Sequence, residues 1–349
     1  MMQRNAGIEI MRIVAMLWII AFHFTDHGTV LFDKVETISL NWWFLAIGRM
    51  GGGVGNCLFV LISGYLLFEK DFKLRRVLKL WLEVLFYSIV CGLFSIYLST
   101  DSFSFDTMRR ILTPISSNEY WFMTTYVLLM LLSPFIQRML NTLSEKEFQR
   151  FIFLSFLLFS LLPTLGCIFP RIFDYERFLV DQNRLFIFIV LYSIGAYIKV
   201  YGVPFSKKVM VRIGMITFSA IYISFYVIHN INLGGELRYD PSSLAWGLEK
   251  APVVLLAVAV FSYIIMLPIK MHRIIAFFSS SVFAVYLLHI GRLRTLLFKV
   301  FDDGVIFQTY YFVIWYVLSV VVIFVGAVLI DKLRVFVVER LVQRIIGHW

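Results

Sequence analysis

The chain has 349 residues, of which 60% are hydrophobic and 17% aromatic, with a mean hydropathy of +0.84. Only 15% are charged, against about 25% in soluble domains, which excludes a water-soluble fold and implies a polytopic membrane protein. The net charge of +10 sits in loops between apolar runs, so it is read as a topology signal and not as a nucleic-acid footprint.

A hydrocarbon core of about 30 Å takes roughly 20 apolar residues per helix. Only helices or closed barrels cross it with their backbone satisfied. The apolar runs here are long and do not alternate, which predicts helices. Ten spans are expected, at 10–31, 42–68, 79–98, 120–137, 151–169, 184–201, 209–229, 251–269, 274–290 and 310–330. The expected fold class is therefore all-α, a transmembrane helix bundle. With the N-terminus in the cytoplasm, 20 of the 32 basic residues lie on the cytoplasmic side and 14 of the 22 acidic residues outside, as the positive-inside rule asks. An even number of spans returns the C-terminus to the cytoplasm.

The first span, "MRIVAMLWIIAFHF" at 11–24, holds Arg12 at its start and His23 near its far end. It lacks a small-residue cleavage site, so it is taken as a mature helix rather than a signal peptide. Eleven residues turn a helix about 20° beyond three full circles, which puts both side chains on one face, about 16 Å apart along the axis. Ionisable groups inside a membrane are expensive and face the bundle interior. Arg12 at the inner mouth can bind an anion, and His23 can move a proton near neutral pH. The bland alternative gives them separate roles, Arg12 as a topology anchor and His23 as a packed core residue. His23 and His27 also form an i, i+4 pair, but Asp26 is expected to point elsewhere on the helix, and no metal is expected.

The second span is long and interrupted by glycines 51, 52, 53 and 55, with Arg49 just before them and Asn56 just after. Such a run suits close helix packing as well as it suits a ligand. The inner loop at 68–81 follows with Lys70, Lys73, Arg75, Arg76 and Lys79. It reads either as ordinary inside charge or as a phosphate clamp beside Arg12. Cys57, Cys91 and Cys167 lie in apolar spans at unrelated spacings, which suits packing rather than a disulfide or a metal.

Further along, three outer segments of about 20 residues at 99–119, 230–250 and 291–309 are too short to fold alone but long enough to rim a cleft. Trp42, Trp43, Trp121 and Trp246 could offer platforms for sugars, or mark the membrane interfaces. In "SSSVFAVYLLHI", 279–290, three serines open a span and His289 ends it at about the depth of His23. A second proton-handling group can thus meet the first. No internal repeat is found, which counts against transporter folds built from inverted repeats. Residues 331–349 read as a cytoplasmic amphipathic tail behind a single membrane domain at 1–330.

Taken in order, these pieces resemble the bacterial membrane acyltransferase family three, which modifies surface polysaccharides. Arg12 and His23 match its arginine–ten residues–histidine spacing. "CLFVLISGYLLF", 57–68, matches its phenylalanine-rich segment ending in Ser-Gly-Tyr. The basic stretch, "YWFMTTYVLLMLLSP", "LYSIGAYI" and "SSVFAVYLLHI" complete the order. The family's Arg-x-x-Arg appears here only as Lys73 to Arg76 or Arg76 to Lys79.

The resemblance implies a stand-alone O-acyltransferase of the bacterial cytoplasmic membrane. It would take an acetyl or other acyl group from cytoplasmic acetyl-CoA to a glycan hydroxyl. His23 would act as general base, or carry the acetyl group transiently. Arg12, Lys73, Arg75, Arg76 and Lys79 would hold the donor's phosphates. Arg49, Asn56, Tyr65 or His289 would meet the substrate or the oxyanion. The implied partners are membrane lipids and the acceptor glycan, with no nucleic acid. The competing expectation is an exporter or flippase for lipid-linked sugars, with His23, Arg49 and His289 lining its path.

Overall fold

The computed structural model describes residues 5–35, 37–169, 184–234, 240–301 and 304–339. Among these, nine helices are long and apolar enough to cross a membrane: Ala6–His27, Leu40–Leu67, Leu74–Tyr97, Trp121–Asn141, Glu145–Ile168, Arg184–Tyr201, Lys207–Asn232, Arg273–Ile290 and Phe312–Val337. A tenth apolar helix, Ala251–Ile265, has 15 residues. Each corresponds to one of the ten expected spans. The chain is an all-helical, multi-pass membrane bundle.

Burial is uneven and shows which helices form the centre. Two thirds of the first span (67%) and most of the second (83%) are buried, against 22% of Glu145–Ile168 and 17% of Lys207–Asn232. The first helix, its start capped by Asn5 accepting from the Ile8 amide at 3.3 Å, runs through the middle. The more peripheral helices turn Phe153, Leu154, Met215 and Ile216 outward.

The second span breaks at Met50, immediately before the glycine run, into Leu40–Arg49 and Gly51–Leu67. Helix continues unbroken over Gly51–Leu67, and the glycines let it lie against the first helix. A Cβ on Gly55 would come within 2.9 Å of the Ala15 carbonyl. Further along, Gly64 faces the Tyr192 backbone and Gly195 faces the Leu61 carbonyl, so two helices cross with no side chain between them. Close approach of this kind is how membrane helices gain packing energy without a hydrophobic drive.

Helix ends depart from the expected spans for local reasons. The fourth span runs to Asn141, through Pro134, because Ser133 Oγ donates to the Met130 carbonyl at 2.8 Å. That is the carbonyl left without its usual amide by the proline. The fifth span begins at Glu145, not 151, on a capping box in which Ser144 and Glu147 serve each other's amides. The last long helix passes 330 and reaches Arg334. Asp331 Oδ1 accepts from Tyr87 Oη at 2.8 Å and from Arg334 Nε at 2.9 Å, while Arg334 Nη2 reaches Glu83 at 3.2 Å. This network ties the last helix to Leu74–Tyr97. Tail residues 340–349, including Arg340 and Arg344, lie outside the described residues.

Candidate active site

One face of the first helix carries the site. Glu9, Arg12, Met16 and Ile19 fall at intervals of three and four residues, so they form a single stripe. All four line a cavity of about 400 Å³. His23 is the next position on the same stripe, one turn beyond Ile19. Its opposite walls come from Asn56, Phe59 and Ser63 of the second span, Tyr126 of the fourth, and Phe283 and Tyr286 of the ninth. On that ninth span His289 stands three residues beyond Tyr286, so two cavity-lining stripes lead to a histidine each.

The Arg12 end is polar. Arg12 Nη1 lies 3.4 Å from Glu9 Oε2, with the arginine side chain 33% exposed and the glutamate 9%. That long contact leaves donors of the guanidinium unused. Ser279 and Ser280 also line the cavity, and Lys332 Nζ donates to Ser280 Oγ at 2.6 Å. Midway, Ser63 Oγ and Tyr126 Oη share a hydrogen bond at 3.0 Å. Lys332 does not itself line the cavity; it reaches the lining residue Ser280 because the last helix packs beside it, which no local spacing reveals.

At the other end the two histidines meet. The His23 and His289 rings have centroids 5.4 Å apart at 61°. His23 is buried, and its Nδ1 has no hydrogen-bond partner among the described residues. His289 is fully buried, with Nδ1 2.6 Å from the Val285 carbonyl and Nε2 without a partner among the described residues. Phe298, from segment 291–309, packs on both His23 and His27.

His27 stacks on His23 at 5.4 Å. Asp26 corrects an expectation. It does not point away, because its Oδ2 lies 3.4 Å from His27 Nε2. His23, Asp26 and His27 thus bring ligand-type atoms within 4.8 Å of one another. Arg49 explains the turn of the carboxylate. It donates from Nη1 to Asp26 Oδ1 at 2.8 Å and from Nε to Ser242 Oγ at 3.1 Å. A guanidinium already neutralises Asp26.

The remaining expected residues separate. Asn56 lines the cavity; Arg49, Tyr65, His23 and His289 do not. Lys199 lies over the Tyr65 ring at 5.4 Å. Lys73, Arg75 and Lys79 are exposed at the start of the Leu74–Tyr97 helix, with Arg76 half-buried. Leu80 of the same turn lines the cavity, although the four basic residues do not. Trp42 is fully buried against Phe32, so it is core and not a sugar platform, whereas Trp246 is 54% exposed.

A family model describing an acyltransferase domain, of acyltransferase family three, matches residues 5–332. No curated protein and no solved structure gives a significant match. The matched region takes in every residue that lines the cavity, from Glu9 to Tyr286, and both histidines. With nearly the entire chain covered, this multi-pass helical protein belongs to acyltransferase family three and is a membrane acyltransferase.

Proposed function

We propose that the protein moves an acetyl or similar acyl group from acyl-CoA to a hydroxyl of a surface or secreted glycan, with His23 as general base. The observation that carries this reading is the single stripe on the first helix. It runs from a cationic mouth at Arg12, along a cavity of about 400 Å³ lined on this helix as far as Ile19, and continues to the buried ring of His23 one turn beyond that lining. That volume falls within the usual range for small-molecule sites, about 300–1,000 Å³. The residues present fit the donor. Arg12 and Lys332 offer charge to phosphates at one end, and the apolar wall of Met16, Ile19 and Phe59 suits a slender acyl-bearing arm. Lys73, Arg75, Arg76 and Lys79 are proposed to add phosphate contacts outside the mouth.

Bound at this site, the donor supplies a thioester carbon open to attack. His23 takes the acceptor's hydroxyl proton as the new C–O bond forms, and returns it to sulfur as the C–S bond breaks.

The test uses purified protein, labelled acetyl-CoA and a glycan acceptor. His23→Ala is expected to lower transfer by about 10²–10⁴-fold, the usual contribution of a general base, while the protein still inserts and purifies. Arg12→Ala and Lys332→Ala are expected to raise the KM for acetyl-CoA with little change in kcat. Full activity in His23→Ala would remove the proposal. Wild-type protein that neither transfers nor hydrolyses acetyl-CoA would favour an exporter.

A further inference from the structure

We infer that His289 is the positioning residue that fixes His23 in its catalytic tautomer, through a chain running from the Val285 carbonyl to His289 Nδ1, from His289 Nε2 to His23 Nδ1, and from His23 Nε2 to the acceptor hydroxyl. This rests on the reading of His23 as the base.

A backbone carbonyl only accepts, so the 2.6 Å contact between His289 Nδ1 and Val285 O places the His289 proton on Nδ1. His289 Nε2 is then a bare acceptor. It is buried and has no partner among the described residues. Such an atom in a membrane interior costs free energy unless it is used. His23 has the complementary orphan, a buried Nδ1. If that nitrogen carries the proton, both orphans are satisfied by one N–H···N bond, and His23 Nε2 is left with the lone pair a base needs.

The geometry is within reach. Imidazole nitrogens lie about 1.1 Å from the ring centre, so the 5.4 Å centroid separation allows nitrogens turned toward each other to approach to about 3.2 Å, the long end of the hydrogen-bond range. The 61° angle between the rings lets an edge of one meet an edge of the other after a turn of His23 about its ring bond. Catalytic hydrogen bonds are often long until substrate arrives. Among the described residues, no other ring touching His23 can do this. His27 is stacked face to face, 10° from parallel, and a stacked ring offers its face, not its lone pair. Phe22 and Phe298 have no acceptor nitrogen.

Three substitutions at 289 and one spectrum test the assignment. His289→Phe keeps the ring's bulk without nitrogen, and His289→Asn reaches only the Val285 end. Both are expected to lower kcat about 10–100-fold, as when an imidazole loses its orienting partner, with the KM for acetyl-CoA unchanged. His289→Gln puts an amide oxygen near the place of Nε2 and is expected to recover at least a tenth of wild-type kcat. Nitrogen-15 NMR of histidine-labelled wild-type protein in lipid is expected to show His23 protonated on Nδ1, and His289→Phe is expected to lose that preference.

Wild-type kcat in His289→Phe would overturn the inference, as would a proton on His23 Nε2 in the wild-type spectrum. An active His23→Ala would instead strike the base reading itself. Inactive His23→Ala beside fully active His289→Phe removes the positioning role alone. If His289→Phe does not fold, the glutamine variant and the wild-type spectrum still decide.

Discussion

Arg49 shows how much one side chain can hold at the histidine end of the site. Its Nη1 serves Asp26 on the first helix, its Nε serves Ser242 on the segment after residue 240, and its guanidinium lies 5.1 Å from the Phe22 ring centre. Ser242 in turn donates its amide and hydroxyl to Asp240 Oδ1. Two acceptors in different directions need a fork of donors, which lysine lacks. Arg49→Lys is therefore expected to lose one of the two bonds, and Arg49→Met both. Asp26 is 34% exposed, so water offsets part of the loss, and the methionine variant should cost about 1–3 kcal/mol rather than the larger penalty of a fully buried broken pair. Thermal midpoints in detergent check this. A lysine variant with the wild-type midpoint would show that one contact suffices. From sequence, Arg49 was legible as a costly charge within a membrane, but its partner Ser242 lies 193 positions away. The same limit applied to Asp26, whose direction is set by Arg49 and not by its own helix.

At the scale of elements, the helices were legible because hydrophobicity is a local sum, and their ends were less so. Pro134 lies inside the fourth helix, where Ser133 supplies the carbonyl partner that the proline removes. The glycines were ambiguous between ligand and packing until their neighbours were known. Gly64 and Gly195 settle this for the crossing of Gly51–Leu67 with Arg184–Tyr201, where each faces the other helix's backbone. A backbone cannot swing aside as a long side chain can. Gly195→Val is therefore expected to push the two helices apart, at a cost of about 1–3 kcal/mol or more. Gly326, where an added Cβ meets nothing within 4 Å, provides the control, and Gly326→Ala should leave the midpoint unchanged. If Gly195→Val melts at the wild-type temperature, the close crossing is not what holds this pair. The movement would also reach the cavity, since Asn56, Phe59 and Ser63 stand on the displaced helix. Loss of acyl transfer should accompany loss of stability.

For the whole molecule, the shared face of Arg12 and His23 could be read from helical geometry alone. The matching depth of His23 and His289, 266 residues later, could also be read, but the edge-to-face contact of their rings at 5.4 Å needed the folded bundle. Orientation in the membrane links both to function. Our proposed orientation puts the Arg12 end in the cytoplasm, where acyl-CoA is made, and the histidine pair toward the outer side, where a glycan would arrive. Lys146 and Tyr310 are exposed and fall on opposite sides in this arrangement. Cys57 and Cys91 are buried and Cys167 is partly accessible, so Cys167→Ser gives a quiet background for labelling. In right-side-out membrane vesicles, a membrane-impermeant maleimide is expected to label Tyr310→Cys directly and Lys146→Cys only after permeabilisation. The reverse pattern would turn the molecule over. Arg12 and Lys332 would then face away from the cytoplasmic donor pool, and the stripe from Arg12 to His23 could no longer be the donor's path. Labelling at two positions thus tests the charge-based orientation and the proposed direction of acyl transfer together.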